Sequence, residues 1–411
     1  MMETEGTARP TYYRWFMDKL LMGMPWQSYA RSLISPFNIV AGLILVVGGY
    51  VLFIRYTQGL ASVTHASSEY SWGLLLSWGL FGGVPLSATG FVMTAGFYIF
   101  GFRSYKPLVR LAVLGGLLGY IFAASYLLID LGRPWRIYYP MIISFGPASI
   151  LFLVAWHVSL YTIVQFLEFS PAILEWLRSK RVHKWAIGIT IAMTIGGIIL
   201  STLHQSALGA LYLLAPGKVH PLWYSPHLPV FFLASSIYAA TAFLICLSWL
   251  SITFLKKRCD EAFIKNLDKL TIGLGKATVI AMVVYFALKV IGVAHEENWY
   301  HLSTPYGHWF LVETIGFILI PATMLTFAVK NRAVSLVRFS ALLSVIGVLL
   351  NRLNITMIVF NWNLPDHLEH IVPPWTEVAI VLFMVTLHVL IFRWVLNRIP
   401  VLWQEKEYLH K

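Results

Sequence analysis

The sequence contains few charged residues and only two cysteines. Charged residues make up 12% of its 411 residues, about half of what soluble domains carry, while 58% are hydrophobic. Cys246 and Cys259 are too few for a disulfide scaffold, a cysteine-ligated iron–sulfur cluster or a Cys-x-x-Cys-His haem site. No glycine-rich phosphate-binding loop stands out. The low charge, with 16 Trp, 20 Tyr and 26 Phe, indicates a multi-pass membrane protein.

Ten apolar stretches are long enough to cross a bilayer, which takes roughly 17–25 residues. They run near 37–58, 74–101, 108–130, 146–167, 185–204, 228–254, 271–291, 308–329, 336–358 and 375–397. We therefore predict an all-α integral membrane protein with ten transmembrane helices. We expect two four-helix bundles at 37–168 and 169–335, then a C-terminal helix pair at 336–397. An N-terminal segment at 1–36 and a tail at 398–411 flank them.

The positive charges behind the net charge of +12 are concentrated in alternate loops. This distribution indicates the orientation of a membrane protein and argues against a nucleic-acid-binding surface. The two terminal segments and the even-numbered loops hold 23 of the 30 Lys and Arg, whereas the five opposite loops hold only Arg133, Arg136 and Lys218. The positive-inside rule then predicts that both termini are cytoplasmic. Residues 11–35 mix aromatic and charged side chains, which predicts an interfacial amphipathic helix. A solvated tail is the alternative. We also expect no cleavable signal peptide before the first apolar stretch.

Ionisable residues inside membrane helices are costly and mark candidate functional positions. Several lie at one predicted outer level, on different helices: Asp130, His204, Lys289, Glu313, Arg352 and, at the rim, Glu377. The outer loops add His295, Glu296, Glu297, His301, His308, Asp366, His367, Glu369 and His370. Because opposite charges at one depth can pair, we expect Glu313 to pair with Arg352 or Lys289. The pair would either be a proton relay or a fixed ion pair that holds the second bundle together.

Asp130 begins a compact sequence, Asp-Leu-Gly-Arg-Pro-Trp-Arg. Asp130 and Arg133 are three residues apart and would share a helix face, while Gly132 and Pro134 end the helix. The pattern predicts an ion pair on a rigid exit turn, with either a topological or a functional role.

Histidines mark two further candidate positions. His204-Gln-Ser leads into a loop with His220 and Trp223, a set of groups that suits hydrogen bonding to the carbonyl oxygens of a flat apolar ligand. His157 and His388 lie mid-membrane at similar depth, as the two ligands of a haem b would. With a single pair of this kind, satisfied buried histidines or proton-path members are favoured over haem.

Motifs along nearly the whole chain resemble the NrfD/PsrC-type membrane subunits of bacterial respiratory complexes. They are Tyr105–Arg110, Gly119-Tyr120 through Asp130–Arg133, Leu167–Ala172, His204–Gly209, Lys218–Trp223, Glu313 with Pro321, Arg352, Asn361 and Pro374–Glu377. The chain is most similar to the ten-helix branch, which contains HybB-like hydrogenase subunits and QrcD-like menaquinone reductase subunits. Several relatives carry an acid in the second span where this chain reads Ser77-Trp78-Gly79, so a proton-path role for that acid does not carry over.

The resemblance implies a subunit without its own redox cofactor, neither haem nor iron–sulfur cluster, in the bacterial inner membrane. It implies menaquinone binding near the outer ends of the first four helices, at Trp78, Tyr120, Asp130, Arg133 and Trp135, with His204 at the border. Electrons would come from a ferredoxin-like iron–sulfur subunit on the periplasmic face, joined by further periplasmic catalytic or cytochrome subunits. The depth of the polar residues agrees, because it places them on the outer side.

Reduction of a quinone takes two electrons and two protons, so the carbonyl oxygens need donors and the protons need a supply route. We predict Asp130, His204, Glu313 and Arg352 as proton-coupled catalytic residues. His204 and His220 join the residues predicted to bind menaquinone, and no metal ligands are predicted. A menaquinone reductase subunit, with proton uptake from the cytoplasm as an option, is favoured over a hydrogenase subunit. The alternatives are a secondary transporter, which usually binds its substrate near the midplane, and a purely structural anchor.

Overall fold

The structure is a computed structural model that describes residues 11–360, 362–365, 368 and 371–408. The described residues form helices and connecting turns, without a β-strand. Some residues of the sequence analysis lie outside the described residues, namely Asn361, Asp366, His367, Glu369 and His370.

Among the described residues, ten helices are long and apolar enough to cross a membrane, which confirms the predicted fold class. Spans 1 to 10 are Pro36–Gln58, Leu75–Ile99, Arg103–Asp130, Ile150–Trp176, Lys180–Leu214, Leu228–Arg258, Glu261–His295, Pro305–Lys330, Val334–Ile358 and Trp375–Arg398. Most exceed the apolar runs that predicted them, because helices continue into the polar interface beyond the hydrocarbon core.

The bundle has two faces, and we name them after the positions of the chain ends. The terminal face is where span 1 begins and span 10 ends; there Arg110 of span 3 bonds the Glu175 carboxylate at the end of span 4 and the Pro400 carbonyl after span 10. The distal face is the opposite side, where span 3 ends at Asp130. The cytoplasmic location of the terminal face stays a prediction.

Spans 2, 3 and 6 form the centre of the bundle and are the most buried of the ten. Small residues allow their close approach, as is usual for helices packed within a membrane. A Cβ atom at Gly119 of span 3 would lie within van der Waals overlap of the Ser87 hydroxyl of span 2, and one at Gly116 would overlap the side chain of Gln165 in span 4. These glycines let polar side chains of spans 2 and 4 lie directly against span 3.

Span 10 packs mainly along span 1. Gly48 of span 1 makes this possible, because a Cβ there would come within 2.4 Å of the Phe383 Cβ. Span 9 packs instead against spans 6 and 8 and the start of span 2. The expected C-terminal helix pair therefore differs from the observed packing, in which the main partner of span 10 comes from the other end of the sequence.

Three spans contain wider π-helical turns, at Leu75–Gly82 and Ala95–Ile99 in span 2, Val312–Leu319 in span 8 and Asn354–Ile358 in span 9. Such turns are frequent at functional sites because they redirect side chains relative to a regular α-helix. Trp78 and Glu313 lie in two of these stretches, and Arg352 lies two residues before a third.

Two short helices precede span 1, Thr11–Lys19 and Trp26–Leu33, where the sequence predicted one. The break comes at Met22 and Gly23, whose φ angles of 55° and 76° are left-handed. Exposed Trp15, Phe16 and Trp26 are typical of helices at a membrane interface. Short connecting helices are Leu60–Ser62, Pro134–Arg136, Tyr139–Ile142, Pro216–Lys218, Asn298–Ser303 and Lys406–Tyr408.

Candidate functional site

Tyr120 of span 3 and His204 of span 5 meet inside the bundle, and both are fully buried. The Tyr120 hydroxyl lies 2.5 Å from His204 Nε2, and His204 Nδ1 lies 2.7 Å from the Leu200 carbonyl oxygen. Because a carbonyl can only accept, Nδ1 carries a hydrogen, and Nε2 of the neutral ring accepts from Tyr120. The amide of Gln205 donates to the same hydroxyl at 3.3 Å. Two of the predicted site residues are thus joined by a hydrogen bond.

Polar side chains continue from this pair towards the terminal face along span 4. The Tyr161 ring centroid lies 4.8 Å from that of Tyr120, and the Gln165 amide donates to the Tyr161 hydroxyl at 2.5 Å. The same amide nitrogen lies 3.3 Å from Glu168 Oε2, and the Thr194 hydroxyl donates to Glu168 Oε1 at 2.8 Å. We call this set the polar stripe: Tyr120, Tyr161, Gln165, Glu168, Thr194 and His204.

Three oxygen atoms along the polar stripe are buried without a hydrogen-bond partner among the described residues: Gln165 Oε1, Gln205 Oε1 and Ser201 Oγ. Buried polar atoms in proteins are usually hydrogen-bonded, and internal water is a common partner. These three oxygen atoms give the polar stripe further positions at which internal water can bind.

Two carboxylates lie seven residues apart on the inner face of span 4, and their environments differ. Glu175, at the terminal face, pairs with Arg110 at 2.5 Å and accepts the Glu405 backbone N–H at 2.6 Å. Glu168, two turns deeper, is bonded by neutral groups, among them those of Gln165 and Thr194. Glu175 is therefore part of an ion pair, whereas Glu168 forms no ion pair within the described part of the chain.

The distal end of span 3 contains a second group of charges. Arg55, buried near the end of span 1, donates from Nε to the Ile129 carbonyl at 2.7 Å and from Nη2 to the Leu131 carbonyl at 2.5 Å. These carbonyls flank Asp130, which is partly exposed. The sequence carries no signal of a role for Arg55, because its bonding partners are backbone atoms more than 70 residues away.

Glu377 and Trp78 lie near the distal end of span 2. Glu377 Oε2 lies 3.4 Å from the Leu74 N–H, and a Cβ at Gly73 would come within 2.4 Å of Glu377 Oε1, so this approach requires glycine. A carboxylate at a helix N-terminus is favoured by the helix dipole. Trp78, one turn further on, packs against the hydrophobic cluster that contains Phe122 and Tyr126.

The exit turn after span 3 differs from the prediction. Arg133 is exposed and forms no ion pair with Asp130 within the described part of the chain. The α-helix ends at Asp130, and the backbone of Arg133 has φ −128° and ψ 78°, so the helical spacing that would bring the two side chains together is lost. Trp135 is 69% exposed. Both residues lie on the surface of the turn.

His220 lies in the loop between spans 5 and 6, apart from the Tyr120–His204 pair. Its Nδ1 accepts the Leu222 N–H at 3.2 Å, and its ring packs against those of Trp223 and His301. Burial lowers the pKa of His220 to about 4, and the neighbouring His301 contributes in the same direction. A neutral, packed ring of this kind orders the loop above Glu313.

Glu313 is the centre of a buried network in spans 6 to 9. Its carboxylate accepts hydrogen bonds from Trp223 Nε1 at 2.8 Å, Asn351 Nδ2 at 2.7 Å and Asn354 Nδ2 at 2.5 Å. Lys289 Nζ lies 3.6 Å from Glu313 Oε1. The expected pairing with Lys289 is therefore present.

Arg352 does not bond Glu313 directly. Its Nη1 donates to Asn351 Oδ1 at 2.6 Å and its Nη2 to Ser235 Oγ at 2.6 Å, while the guanidinium carbon lies 3.8 Å from the Phe232 ring centroid. Asn351 thus connects the arginine to the glutamate. We call Lys289, Glu313, Asn351, Arg352 and Asn354 the charge network.

The two mid-membrane histidines have different neighbours. The His388 ring stacks on Phe122 of span 3 with centroids 4.3 Å apart, whereas span 4, which carries His157, packs mainly on spans 3 and 5. The two histidines therefore belong to spans with different main packing partners. The described residues also contain no group of three or more His, Cys, Asp or Glu side chains placed to bind a metal ion.

Comparisons with known proteins gave matches over most of the chain. The family model described as "Polysulphide reductase, NrfD" matches residues 62–361. A protein of Nitratidesulfovibrio vulgaris is 39% identical over 92% of this chain and 97% of its own length. The probable Ni/Fe-hydrogenase 2 b-type cytochrome subunit of Escherichia coli is 26% identical over 92% of this chain and 95% of its own length. The menaquinone reductase integral membrane subunit of N. vulgaris is 25% identical, with coverages of 93% and 96%.

Proposed function

Since this chain belongs to the NrfD family, we propose that it is the quinone-interacting membrane subunit of a bacterial respiratory oxidoreductase complex. The chain is a multi-pass integral membrane protein, and its relatives include a menaquinone reductase subunit and a hydrogenase subunit. In our proposal it lies in the inner membrane and passes electrons to menaquinone from an iron–sulfur subunit on the periplasmic, distal face. It has no redox cofactor of its own, and a menaquinone reductase-like role is favoured over a hydrogenase-like one.

We place the quinone site at the distal end of spans 1 to 3 and 10. Asp130 and Glu377 supply carboxylates there, and Trp78 supplies an aromatic wall. Arg133 and Trp135 border the site from the exit turn. Tyr120 and His204, deeper in the bundle, provide a hydroxyl and an imidazole joined by a hydrogen bond, which suits transfer of a proton towards a quinone oxygen.

The proposed proton supply follows the polar stripe from Glu168 through Gln165 and Tyr161 to the Tyr120–His204 pair. On this route the proton comes from the terminal face, which we take to be cytoplasmic. Glu313 and Arg352 remain candidates for a second proton-coupled site in the charge network.

One observation favours this proposal over the alternatives: the polar stripe leads from the Tyr120–His204 pair towards the terminal face. A secondary transporter usually has its binding groups at broken helices near the midplane. A purely structural anchor would not need Glu168 buried without a cation. A transporter would also purify alone, whereas the proposed subunit should copurify with an iron–sulfur subunit.

Asp130→Asn tests the proposed quinone site. We expect menaquinone reduction by the purified complex to fall by at least ~10-fold, because the amide keeps the size of the side chain but cannot exchange a proton. Electron transfer to a soluble acceptor should stay normal. Asp268→Asn, an exposed carboxylate paired with Arg338 at the terminal face, is the matched control. Wild-type quinone turnover in Asp130→Asn would remove Asp130 from the site.

Reporter fusions test the proposed orientation. Fusions after Arg178, between spans 4 and 5, and after His301, between spans 7 and 8, should report opposite sides of the membrane. We expect phosphatase activity, which requires the periplasm, only from the fusion after His301. Phosphatase activity from the fusion after Arg178 alone would reverse the assignment of the two faces.

A further inference from the structure

Span 1 contains one buried charged residue. Its buried positions are Ala41, Gly48, Val51 and Arg55, which repeat at helical spacing, and Gly48 packs on span 10. The rest of the span is largely exposed on the outside of the bundle. A charge on such a helix is costly unless it is paired, so the position of Arg55 calls for a specific partner.

The partner of Arg55 is the backbone around Asp130. The last carbonyls of an α-helix have no intrahelical hydrogen bond, and the guanidinium fork supplies donors to two carbonyls, those of Ile129 and Leu131. Arg55 therefore fixes the backbone immediately before and after Asp130, at the point where span 3 turns away from the bundle.

The charge at Asp130 also needs compensation. A carboxylate at a helix C-terminus faces the negative end of the helix dipole, and the Glu377 carboxylate lies against Gly73 and Leu74 at the same distal end of the bundle. Arg55, which bonds the carbonyls on both sides of Asp130, carries the opposite charge. Without this arginine, the Glu377 carboxylate and the negative end of the helix dipole would both disfavour a charged Asp130 side chain in this place.

We propose that Arg55 is a positioning residue for quinone binding: it fixes the exit turn of span 3 and the direction of the Asp130 carboxylate. This inference rests on the proposed function, because it assigns Arg55 a role that acts through Asp130. The inference requires that replacement of Arg55 weakens binding at the quinone site only when Asp130 is present.

A double-mutant cycle on the purified complex tests this dependence. The measured quantity is the dissociation constant of the fluorescent quinol-site inhibitor 2-heptyl-4-hydroxyquinoline N-oxide, obtained from fluorescence quenching. We expect Arg55→Gln to raise it ~10-fold, the loss of roughly one charge-assisted hydrogen bond. Arg55→Lys should raise it less, ~3-fold, because an ammonium keeps the charge but does not match two carbonyls. In the Asp130→Asn background, Arg55→Gln should change it by less than about twofold.

Arg136→Gln is the matched control, since Arg136 is exposed near the same exit turn and should leave binding unchanged. Equal effects of Arg55→Gln on the dissociation constant in both backgrounds would overturn the proposal. Failure of both Arg55 variants to assemble would also overturn it, because Arg55 would then be needed for the structure of the bundle. Wild-type binding by Asp130→Asn alone would instead reject the proposed quinone role of Asp130. Weakened binding by Asp130→Asn with additive Arg55 effects would reject only the positioning role.

Discussion

Replacing Glu313 by glutamine is expected to lower the free energy of unfolding by about 3–5 kcal/mol, the usual cost of leaving a buried charge unpaired. Lys289 would lose the only carboxylate with which it pairs among the described residues. In addition, three N–H donors point at the Glu313 carboxylate, and an amide offers a single oxygen to them. At least one donor would then face the amide NH2 group.

The measurement is the yield and thermal stability of the purified complex, with Glu261→Gln as control. Glu261 is exposed in the first turn of span 7, where a substitution should change stability by less than about 0.5 kcal/mol. A proton relay at Glu313 predicts the opposite pattern, in which the complex stays intact and stable while menaquinone turnover or proton uptake is lost. That result would contradict the fixed ion pair and support Glu313 and Arg352 as proton-coupled residues.

The depth of the charged residues in spans 7 to 9 could be predicted from sequence, because hydropathy places each residue along its helix. Their pairing could not be predicted in full. Glu313 lies within a π-helical turn and Arg352 lies two residues before another, and a regular helical period does not give side-chain directions across such turns. Arg352 therefore bonds Asn351 and Ser235, two neutral residues, rather than Glu313.

Span ends limited the prediction of the candidate site. The predicted apolar run of span 4 stops at 167, so Glu168 was not among the candidate charged residues, but the helix continues through Pro171 to Trp176. Arg55 was missed for another reason: it bonds backbone carbonyls, which have no signature in the sequence. Tyr120 and His204 were each predicted as site residues, because both belong to motifs of the family. The structure joins the two side chains by a hydrogen bond.

Glu168→Gln separates proton supply from structure in span 4. Glutamine keeps the size of the side chain and an oxygen for the Thr194 hydroxyl, and no ion pair is broken, so we expect normal assembly. A side chain that cannot exchange protons should lower menaquinone turnover at least ~10-fold, within the range that general acid–base groups contribute. Proton uptake from the terminal-face side of reconstituted vesicles should fall by the same factor.

Glu175→Gln, seven residues further along the same face of span 4, is the matched comparison. Because Glu175 pairs with Arg110 and holds the backbone of Glu405, its loss should loosen the C-terminal segment and lower stability. Turnover per folded complex should then change little. If Glu168→Gln retained both turnover and proton uptake, protons would have to reach Tyr120 and His204 by another route, and the polar stripe would be a structural feature of the bundle. If only Glu168→Gln lost them, the two carboxylates of one helix face would have separate roles, one in proton supply and one in holding the chain end.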